Sequence, residues 1–214
     1  MKFHFLTIFP EMINAYIGEA MLARAKDKKL AAYDVKNIRD YSKDRHQKTD
    51  DRPYGGGPGM VMTPEPILGA FKKLKMKGEK IKIIQLSPSG KIFTNTVARK
   101  LVKQYSDIVF ICGRYEGVDD RVRKILKADE YSIGDYVLTG GELPALVMTD
   151  AMVRQISGVL GDQESLEEAR VASPRVYTRP EVLTYNKKKY KVPPVLLSGD
   201  HKKIEEWRKG QQRG

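Results

Sequence analysis

Four short apolar stretches of the chain have the character of buried β-strands. Each is rich in β-branched or aromatic residues and is bounded by residues that favour turns. Continuous apolar runs of this length are typical of strands covered on both faces, so they predict a mostly parallel sheet. The four stretches are Lys2 to Phe9, Tyr33 to Ile38, Ile81 to Leu86 and Ile108 to Cys112.

Between and after these strands, apolar residues recur at the spacing of an α-helix. The pattern from Pro10 to Lys28 places one apolar stripe on a single helix. A second helix is predicted to begin at Thr63, ahead of two prolines that suit a first turn, and a third at Thr94 or Asn95, either of which can cap it. The alternation of strands and helices predicts an α/β fold. Two more helices are predicted over Gly117 to Leu126 and Leu143 to Ile156.

The chain changes character after Gly161. The stretch from Asp162 to Arg170 is acidic and polar, and Ser173 and Pro174 interrupt regular structure. We therefore expect one principal domain over residues 1–160, a linker over 161–176 and a short terminal segment over 177–214.

The terminal segment is basic and is predicted to be α-helical. Asp200 can cap its last helix, whose apolar residues Ile204 and Trp207 are too few to fold unaided, so this helix must dock on something. From Arg175 to Gly214, eleven basic residues stand against four acidic ones, which gives a net charge of +7.

The composition is that of a globular protein without a membrane span. A chain of 214 residues suffices for one α/β domain with a short appendage. Hydrophobic residues make up 41% of it and charged residues 31%, and no apolar run approaches a span of about 18 residues. The first residues lack the features of a secretion signal, so we expect a cytoplasmic protein. Neither a disulfide nor a metal site is predicted, because Cys112 is the only cysteine and the three histidines are scattered.

The net charge of +12 is the first indication of function. A domain this basic attracts polyanions and gains affinity from the counterions they release, so nucleic acid is the expected partner. Charge alone leaves a second interpretation open, in which the basic residues form a solvated surface without such a partner.

The densest glycine cluster lies in the stretch DDRPYGGGPGM at residues 50–60. It has neither the terminal Lys-Ser/Thr of a P-loop nor the G-x-G-x-x-G order of a dinucleotide site. Glycines this close together let the backbone approach a flat ligand. A surface loop without function is the alternative, but the neighbouring charged and aromatic residues favour recognition of a substrate. The substrate-binding residues predicted here are Asp50, Arg52, Tyr54 and Gly59.

Three further glycine-containing turns each follow a strand. They lie at Leu86 to Gly90, at Ile111 to Gly117 and at Ser132 to Pro144. Because ligands of open α/β sheets bind beyond the carboxyl ends of the strands, the three turns could converge on one pocket. Taken singly, each could be only a tight turn.

Six motifs spread along the chain are long and ordered. They are DDRPYGGGPGM (50–60), CGRYEG (112–117), SIGDYVLTGGELPA (132–145), GVLG (158–161), YTRPEV (177–182) and VPPVLLSGDH (192–201). Together, these motifs resemble the bacterial tRNA (guanine-N1)-methyltransferase family. This family belongs to the SPOUT class, whose catalytic domain carries a deep trefoil knot and works as a homodimer. The resemblance implies transfer of a methyl group from S-adenosylmethionine to N1 of the guanosine immediately 3′ of the anticodon, position 37, in tRNA.

The resemblance also implies where the methyl donor binds. Backbone groups of the knotted loops would hold S-adenosylmethionine, which has no phosphate and therefore needs neither of the missing motifs. In the family, the second protomer of the dimer closes over the target base with its linker and tail. The implied cofactor-binding residues are Leu86, Ser87, Pro88, Gly113, Arg114, Tyr115, Glu116, Ser132, Ile133, Gly134, Tyr136, Val137, Leu138, Gly140 and Gly141.

Methyl transfer to guanine N1 needs a base for the N1 proton and is favoured by a cation near O6. Arg154 matches the catalytic arginine of the family. The usual base of the family is an aspartate, but Ala169 stands at its position, and we predict that Glu168 replaces it. Mg²⁺ is a possible cofactor by the same resemblance.

Two other functions stay open on the sequence. A nucleotide- or NAD-dependent α/β enzyme would explain the glycine turns, although both phosphate-binding motifs are missing. Ala169 leaves room for a catalytically impaired relative that keeps the knotted fold and binds RNA without methylating it.

Overall fold

A parallel sheet forms the centre of the first part of the chain, residues 1–159. The computed structural model describes residues 1–76, 80–160 and 175–211. The strands are β1 (Lys2–Thr7), β2 (Ala32–Asn37), β3 (Asp50–Asp51), β4 (Val61–Met62), β5 (Ile81–Ile92), β6 (Asp107–Ile111), β7 (Asp129–Ser132), β8 (Val182–Tyr185) and β9 (Lys188–Lys191). The helices are α1 (Pro10–Ile17), α2 (Ala20–Asp27), α3 (Pro64–Lys72), α4 (Asn95–Gln104), α5 (Asp120–Leu126), α6 (Glu142–Val153), α7 (Pro194–Leu197) and α8 (His201–Gly210), with a 3₁₀ helix at Ile38–Tyr41.

The chain divides into two compact units, Met1–Val159 and Leu160–Gly214. In the first unit, five parallel strands lie in the order β2-β1-β6-β5-β7, and β3 and β4 form a separate antiparallel pair. The mostly parallel α/β sheet predicted from the sequence is confirmed. Within the described ranges, no helix is long and apolar enough to cross a membrane.

The sheet is buried on both faces, as its continuous apolar strands predict. In β6, Ile108 and Phe110 belong to the core on one face, and Val109 and Ile111 belong to the core on the other. Helices α1, α2, α4 and α6 contribute to the first core, and α3 and α5 contribute to the second. Each fully buried side chain of this size stabilises the fold by about 1.5–3 kcal/mol. Burial on both faces therefore holds the helices against the sheet, and the loops between strands and helices start from fixed positions.

The single helix predicted from Pro10 to Lys28 is wrong, because the chain turns between α1 and α2. Gly18 ends α1, and Ala20 begins α2 with a φ of 47°. One left-handed residue redirects the chain, so each helix buries its own short stripe instead of sharing one. The buried residues are Ile13 and Ile17 in α1 and Leu22 and Ala25 in α2.

The second unit is not purely helical, which corrects the prediction for the terminal segment. An antiparallel hairpin of β8 and β9 precedes α7 and α8. Strand propensity does not predict this hairpin, because lysine is depleted in strands and β9 is mostly lysine. Asp200 caps α8 as predicted, and its carboxylate accepts the N–H of Lys203 at 3.2 Å. The indole of Trp207 lies 6.3 Å from the ring of Tyr177, between ring centres.

Candidate active site

A cavity of about 390 Å³ lies where the three predicted glycine turns meet. It is bounded by the chain that follows β6, the chain that follows β7 and the middle of β5. Of the 15 residues predicted to bind the cofactor, 14 line this cavity, and Gly134 is the exception. The 14 are Leu86, Ser87, Pro88, Gly113, Arg114, Tyr115, Glu116, Ser132, Ile133, Tyr136, Val137, Leu138, Gly140 and Gly141.

Eight residues that the sequence did not single out also line the cavity. One of them, Gln85, is a polar residue beside the apolar start of β5, and this contrast is a signal that could have revealed it. Glu130 lies in β7, whose sequence DEYS offers no such contrast. The others stand beside the glycine motifs or within them. The eight are Gln85, Gly117, Val118, Asp120, Glu130, Tyr131, Thr139 and Pro144.

The first wall of the cavity is a break in β5. This strand pairs with β7 as far as Leu86 and resumes pairing at Lys91, so residues 87–90 leave the ladder and form the predicted turn. Gly90 holds the turn against β7, because a Cβ atom there would lie 2.5 Å from the backbone nitrogen of Tyr131. Backbone atoms cannot move aside as a flexible side chain can, so this position requires glycine.

The other two turns are joined directly to each other. The N–H of Gly141 donates to the carbonyl of Gly113 at 2.9 Å, and Arg114 and Gly140 form an antiparallel bridge. A Cβ atom on Gly141 would lie 2.8 Å from the Cα of Cys112, so only glycine allows this approach. The thiol of Cys112 is buried there, and burial raises its pKa well above the usual value, so it stays a neutral core group.

A buried ion pair anchors these turns to the sheet. The carboxylate of Glu142, the first residue of α6, is fully buried and accepts the Nε–H of Arg114 at 2.9 Å. Its other oxygen accepts the hydroxyl of Thr7, at the end of β1, at 2.7 Å. The guanidinium of Arg114 also donates to the carbonyl of Thr139 at 3.2 Å and lies 4.6 Å from the ring centre of Phe9. One carboxylate therefore connects β1, the turn after β6 and α6.

The predicted substrate-binding residues lie on the hairpin of β3 and β4, which is attached to the cavity wall. The N–H of Glu116 donates to the carbonyl of Met60 at 3.0 Å, and Gly59 packs against the Glu116 side chain. Arg52 and Tyr54 are exposed on this hairpin and do not line the cavity, and Asp50 in β3 is half-buried.

Neither of the two predicted catalytic residues lines the cavity in the described part of the chain. Arg154 follows α6, is half-buried and does not line the cavity. Its side chain forms no hydrogen bond or ion pair with any residue that the structure describes. Glu168 and the neighbouring Ala169 lie outside the described residues.

The charged groups of the cavity are mostly acidic. Three carboxylates, those of Glu116, Asp120 and Glu130, line it together with the paired cation of Arg114. Arg123 forms ion pairs with two of them, with Asp120 at 2.7 Å and with Glu130 at 3.8 Å. Hydrogen bonds from the Arg123 and Lys124 side chains lower the pKa of Asp120 to about 2, so this group is ionised at neutral pH. No lysine stands among the lining residues in the described ranges.

Comparisons with known proteins identify the family of this chain. Residues 1–214 match the family described as tRNA (Guanine-1)-methyltransferase TrmD. This chain belongs to that family. A relative named tRNA (guanine-N(1)-)-methyltransferase in Clostridioides difficile is 45% identical over 98% of this chain and 91% of its own length. Relatives with the same name in Staphylococcus carnosus and Carboxydothermus hydrogenoformans are each 46% identical over 99% of this chain, and over 86% and 82% of their own lengths.

Membership of the tRNA (guanine-1)-methyltransferase family confirms the resemblance predicted from the motifs. The relatives are named as enzymes, which supports the methyltransferase prediction and not the non-catalytic alternative. Membership of this family also argues against the nucleotide- or NAD-dependent enzyme that the glycine turns left open.

Glu142→Gln is expected to lower the free energy of unfolding by about 3 kcal/mol, because the amide leaves the Arg114 guanidinium without its buried counter-charge. Urea denaturation measures this loss. Glu11→Gln is the matched control, because Glu11 lies in the first turn of α1 but is exposed, and it should change the free energy by less than about 0.5 kcal/mol. Equal losses for the two variants would contradict the anchoring role of Glu142.

Proposed function

We propose that the protein transfers the methyl group of S-adenosylmethionine to N1 of the guanosine immediately 3′ of the anticodon, position 37, in tRNA. The observation that carries this proposal is the cavity in which three glycine turns, distant in sequence, bring together the residues assigned to the methyl donor. Family membership along the whole chain supports the type of reaction. A tRNA substrate implies that the protein works in the cytoplasm.

The charge of the cavity suits this donor. S-adenosylmethionine carries a sulfonium, an ammonium and a carboxylate group, so its net charge is positive, and it has no phosphate. The carboxylate of Glu116, which forms no ion pair with a described residue, favours such a cation by Coulomb attraction. The cavity volume of about 390 Å³ falls in the range of small-molecule sites, which is roughly 300–1,000 Å³.

Gln85 supplies a second reason to place a ligand here. This residue is only 7% exposed, and its Oε1 atom is buried without a hydrogen-bond partner in the part of the chain that the structure describes. A buried acceptor left unpaired costs about 1–3 kcal/mol, and an N–H group of a bound ligand would recover that cost. We assign Oε1 of Gln85 to a donor group of S-adenosylmethionine.

Gln85→Leu is expected to weaken binding of S-adenosylmethionine by roughly five- to tenfold, because one hydrogen bond to the ligand is lost. The stability of the free protein should stay the same or rise, since the variant removes an unpaired polar atom and keeps the volume. Titration calorimetry with S-adenosylmethionine measures the affinity, and urea denaturation measures the stability of the free protein. In titrations with S-adenosylmethionine, NAD and ATP, the wild type should bind only the first ligand.

Gln104→Leu on the exposed end of α4 is the control for this substitution and should bind the donor as the wild type does. If Gln85→Leu binds S-adenosylmethionine as tightly as the wild type does, the role of Gln85 is refuted, but the proposed function is not. A wild-type protein without affinity for S-adenosylmethionine would refute the proposed function.

The transfer itself needs a base and a cation from the chain. As the methyl group attaches to guanine N1, the N1 proton must leave and negative charge grows on O6. We assign Arg154 to O6 and Glu168 to the N1 proton. The unpaired, half-buried guanidinium of Arg154 supports its assignment, because no described carboxylate neutralises it. The assignment of Glu168 rests on the sequence.

Arg154→Ala should reduce the single-turnover rate of methyl transfer by about 10²–10³, the cost of removing one group that stabilises charge in the transition state. Glu168→Gln should reduce it by about 10²–10⁴, the usual contribution of a general base. Rapid-quench assays with tRNA and saturating S-adenosylmethionine measure these rates. Arg99→Ala, an exposed arginine of α4, is the control and should react normally. A normal rate for Glu168→Gln would assign the base to another residue.

The proposed reaction divides the chain into three parts, two of which we relate to catalysis and RNA binding. We propose a catalytic domain over residues 1–160, a linker over 161–176 and a tRNA-binding segment over 177–214. The hairpin of β3 and β4 carries Asp50, Arg52, Tyr54 and Gly59 beside the cavity wall, which supports a role for it in holding the target base. As the family resemblance implies, the cavity loops would also be those of a trefoil knot.

For the Mg²⁺ implied by the resemblance, the described ranges contain no cluster of protein ligands. Nowhere among those residues do three or more histidine, cysteine, aspartate or glutamate side chains come together to hold a metal ion. We therefore assign no step of the reaction to a metal.

An exposed apolar patch beside the cavity supports a homodimer with a composite active site. Met12 and Tyr16 of α1 are exposed one turn apart, and so are Leu143 and Val147 of α6. The two helices are joined where the Tyr16 hydroxyl donates to Asp150 at 2.8 Å. The patch continues to the cavity, because Met12 Sδ lies 3.3 Å from the Arg114 guanidinium. A second copy that covers this patch would bring its own residues to the cavity.

Leu143→Asp is expected to convert the dimer into monomers and to abolish methyl transfer, because a charge in the apolar patch would have to be buried unpaired. Sedimentation equilibrium and the transfer assay measure the two effects. Ile125→Asp is the matched control, since Ile125 is an exposed aliphatic residue of α5, and it should leave the dimer intact. A dimer that survives Leu143→Asp would exclude this patch as the interface.

A further inference from the structure

The hairpin of β8 and β9 presents an aromatic face and an opposite face. Its register pairs Leu183 with Tyr190 and Tyr185 with Lys188. Cross-strand partners of an antiparallel ladder lie on the same side of it, so these four residues form one face, which we call the aromatic face. The opposite face consists of Val182, Thr184, Lys189 and Lys191.

The aromatic face is open to solvent. Tyr185 is 64% exposed, Tyr190 is 54% exposed and Leu183 is 55% exposed. These side chains do not form a core for the second unit, in which every residue described between 175 and 211 is exposed or half-buried. Three large apolar side chains grouped in water on one short element mark an interaction surface.

The turn of the hairpin holds this face in one arrangement. Asn186 and Lys187 both have positive φ, 50° and 62°, which is the backbone of a two-residue type I′ turn. Such a turn matches the twist of the two strands and fixes their register. The two tyrosines therefore stand as diagonal neighbours at a set spacing, and little conformational entropy is lost when a ligand packs on them.

The charge of the hairpin indicates what kind of partner it meets. No acidic residue lies between positions 182 and 191, and none of the hairpin lysines forms an ion pair with a described residue. In α8, by contrast, Lys203 pairs with Asp200 and Lys209 pairs with Glu205. A second copy of this hairpin would repel the first, whereas phosphates would neutralise it. The four lysines are Lys187, Lys188, Lys189 and Lys191.

We propose that the aromatic face binds unpaired nucleotides of the tRNA, with Tyr185 and Tyr190 stacked on bases and Lys188 on an adjacent phosphate. This inference rests on the proposed function, which supplies tRNA as the RNA. A base-paired stem offers phosphates but hides the faces of its bases, so exposed tyrosines select a loop or another unpaired stretch. The hairpin thus adds recognition of single-stranded RNA to the general attraction of a basic protein.

The test compares tRNA affinity in variants of the full-length chain, without methyl donor, by filter binding. Tyr185→Val with Tyr190→Val removes both rings and keeps the β-propensity of the strands. The dissociation constant for tRNA should rise roughly tenfold or more, because stacking of one base contributes roughly a factor of 5 to 150. Tyr185→Phe with Tyr190→Phe keeps the rings and should bind within about twofold of the wild type.

A matched pair of lysine variants tests which face meets the RNA. Lys188→Gln on the aromatic face should reduce the slope of log affinity against log salt by about 0.7 to 0.9, the value for one lost phosphate contact. Lys189→Gln, its neighbour on the opposite face, removes the same charge and should leave this slope unchanged. Equal slopes for the two variants would overturn the placement of the RNA on the aromatic face.

Other outcomes separate this inference from the proposed function. Valine variants that bind tRNA as the wild type does, or phenylalanine variants that bind as weakly as the valine variants, would overturn the stacking role. A change of oligomeric state in the valine variants would show that the face contacts protein and would also overturn it. A wild type that binds tRNA but has no affinity for S-adenosylmethionine would refute the proposed function and leave the role of the hairpin standing.

Discussion

The buried contact between Arg114 and Glu142 is the interaction on which the arrangement of the site depends. An ion pair in the interior gains little by itself, because both charges lose their water. Here the carboxylate also accepts the Thr7 hydroxyl, so its oxygens are satisfied from two directions. The contact therefore sets the positions of β1, α6 and the turn after β6 relative to one another, and these elements carry the wall of the cavity and its neighbouring apolar patch.

Close backbone approach is the second constraint on the site. Gly90 meets the backbone of β7, and Gly141 meets the backbone at Cys112, each at a distance that no side chain permits. These approaches bring carbonyl and amide groups of three separate turns to one small volume. A ligand without phosphate can then be held by backbone groups and a few side chains, which explains why neither phosphate-binding motif is needed.

The charge of the whole protein and the charge of the cavity suit different ligands of the proposed reaction. The protein as a whole carries +12, which attracts RNA, whereas the described cavity carries three carboxylates and one paired arginine. In the proposed reaction, the positive donor would meet the unpaired carboxylate of Glu116, and the polyanionic RNA would meet the basic surface. The second unit also carries positive charge that suits RNA. The lysines of the β8–β9 hairpin lie beside exposed tyrosines, and the hairpin contains no acidic residue.

The sequence by itself determined the parallel sheet, the glycine turns and the family, because apolar runs and long motifs are local properties of a chain. It did not predict the break in the helix from Pro10 to Lys28 or the strands β8 and β9, since one left-handed residue or one cross-strand partner can override propensity. Only the tertiary structure decided that Glu142 is buried on Arg114 and that the acceptor of Gln85 lacks a partner. Both facts depend on which segments, distant in sequence, pack around a given side chain, and no local pattern of the sequence specifies that packing.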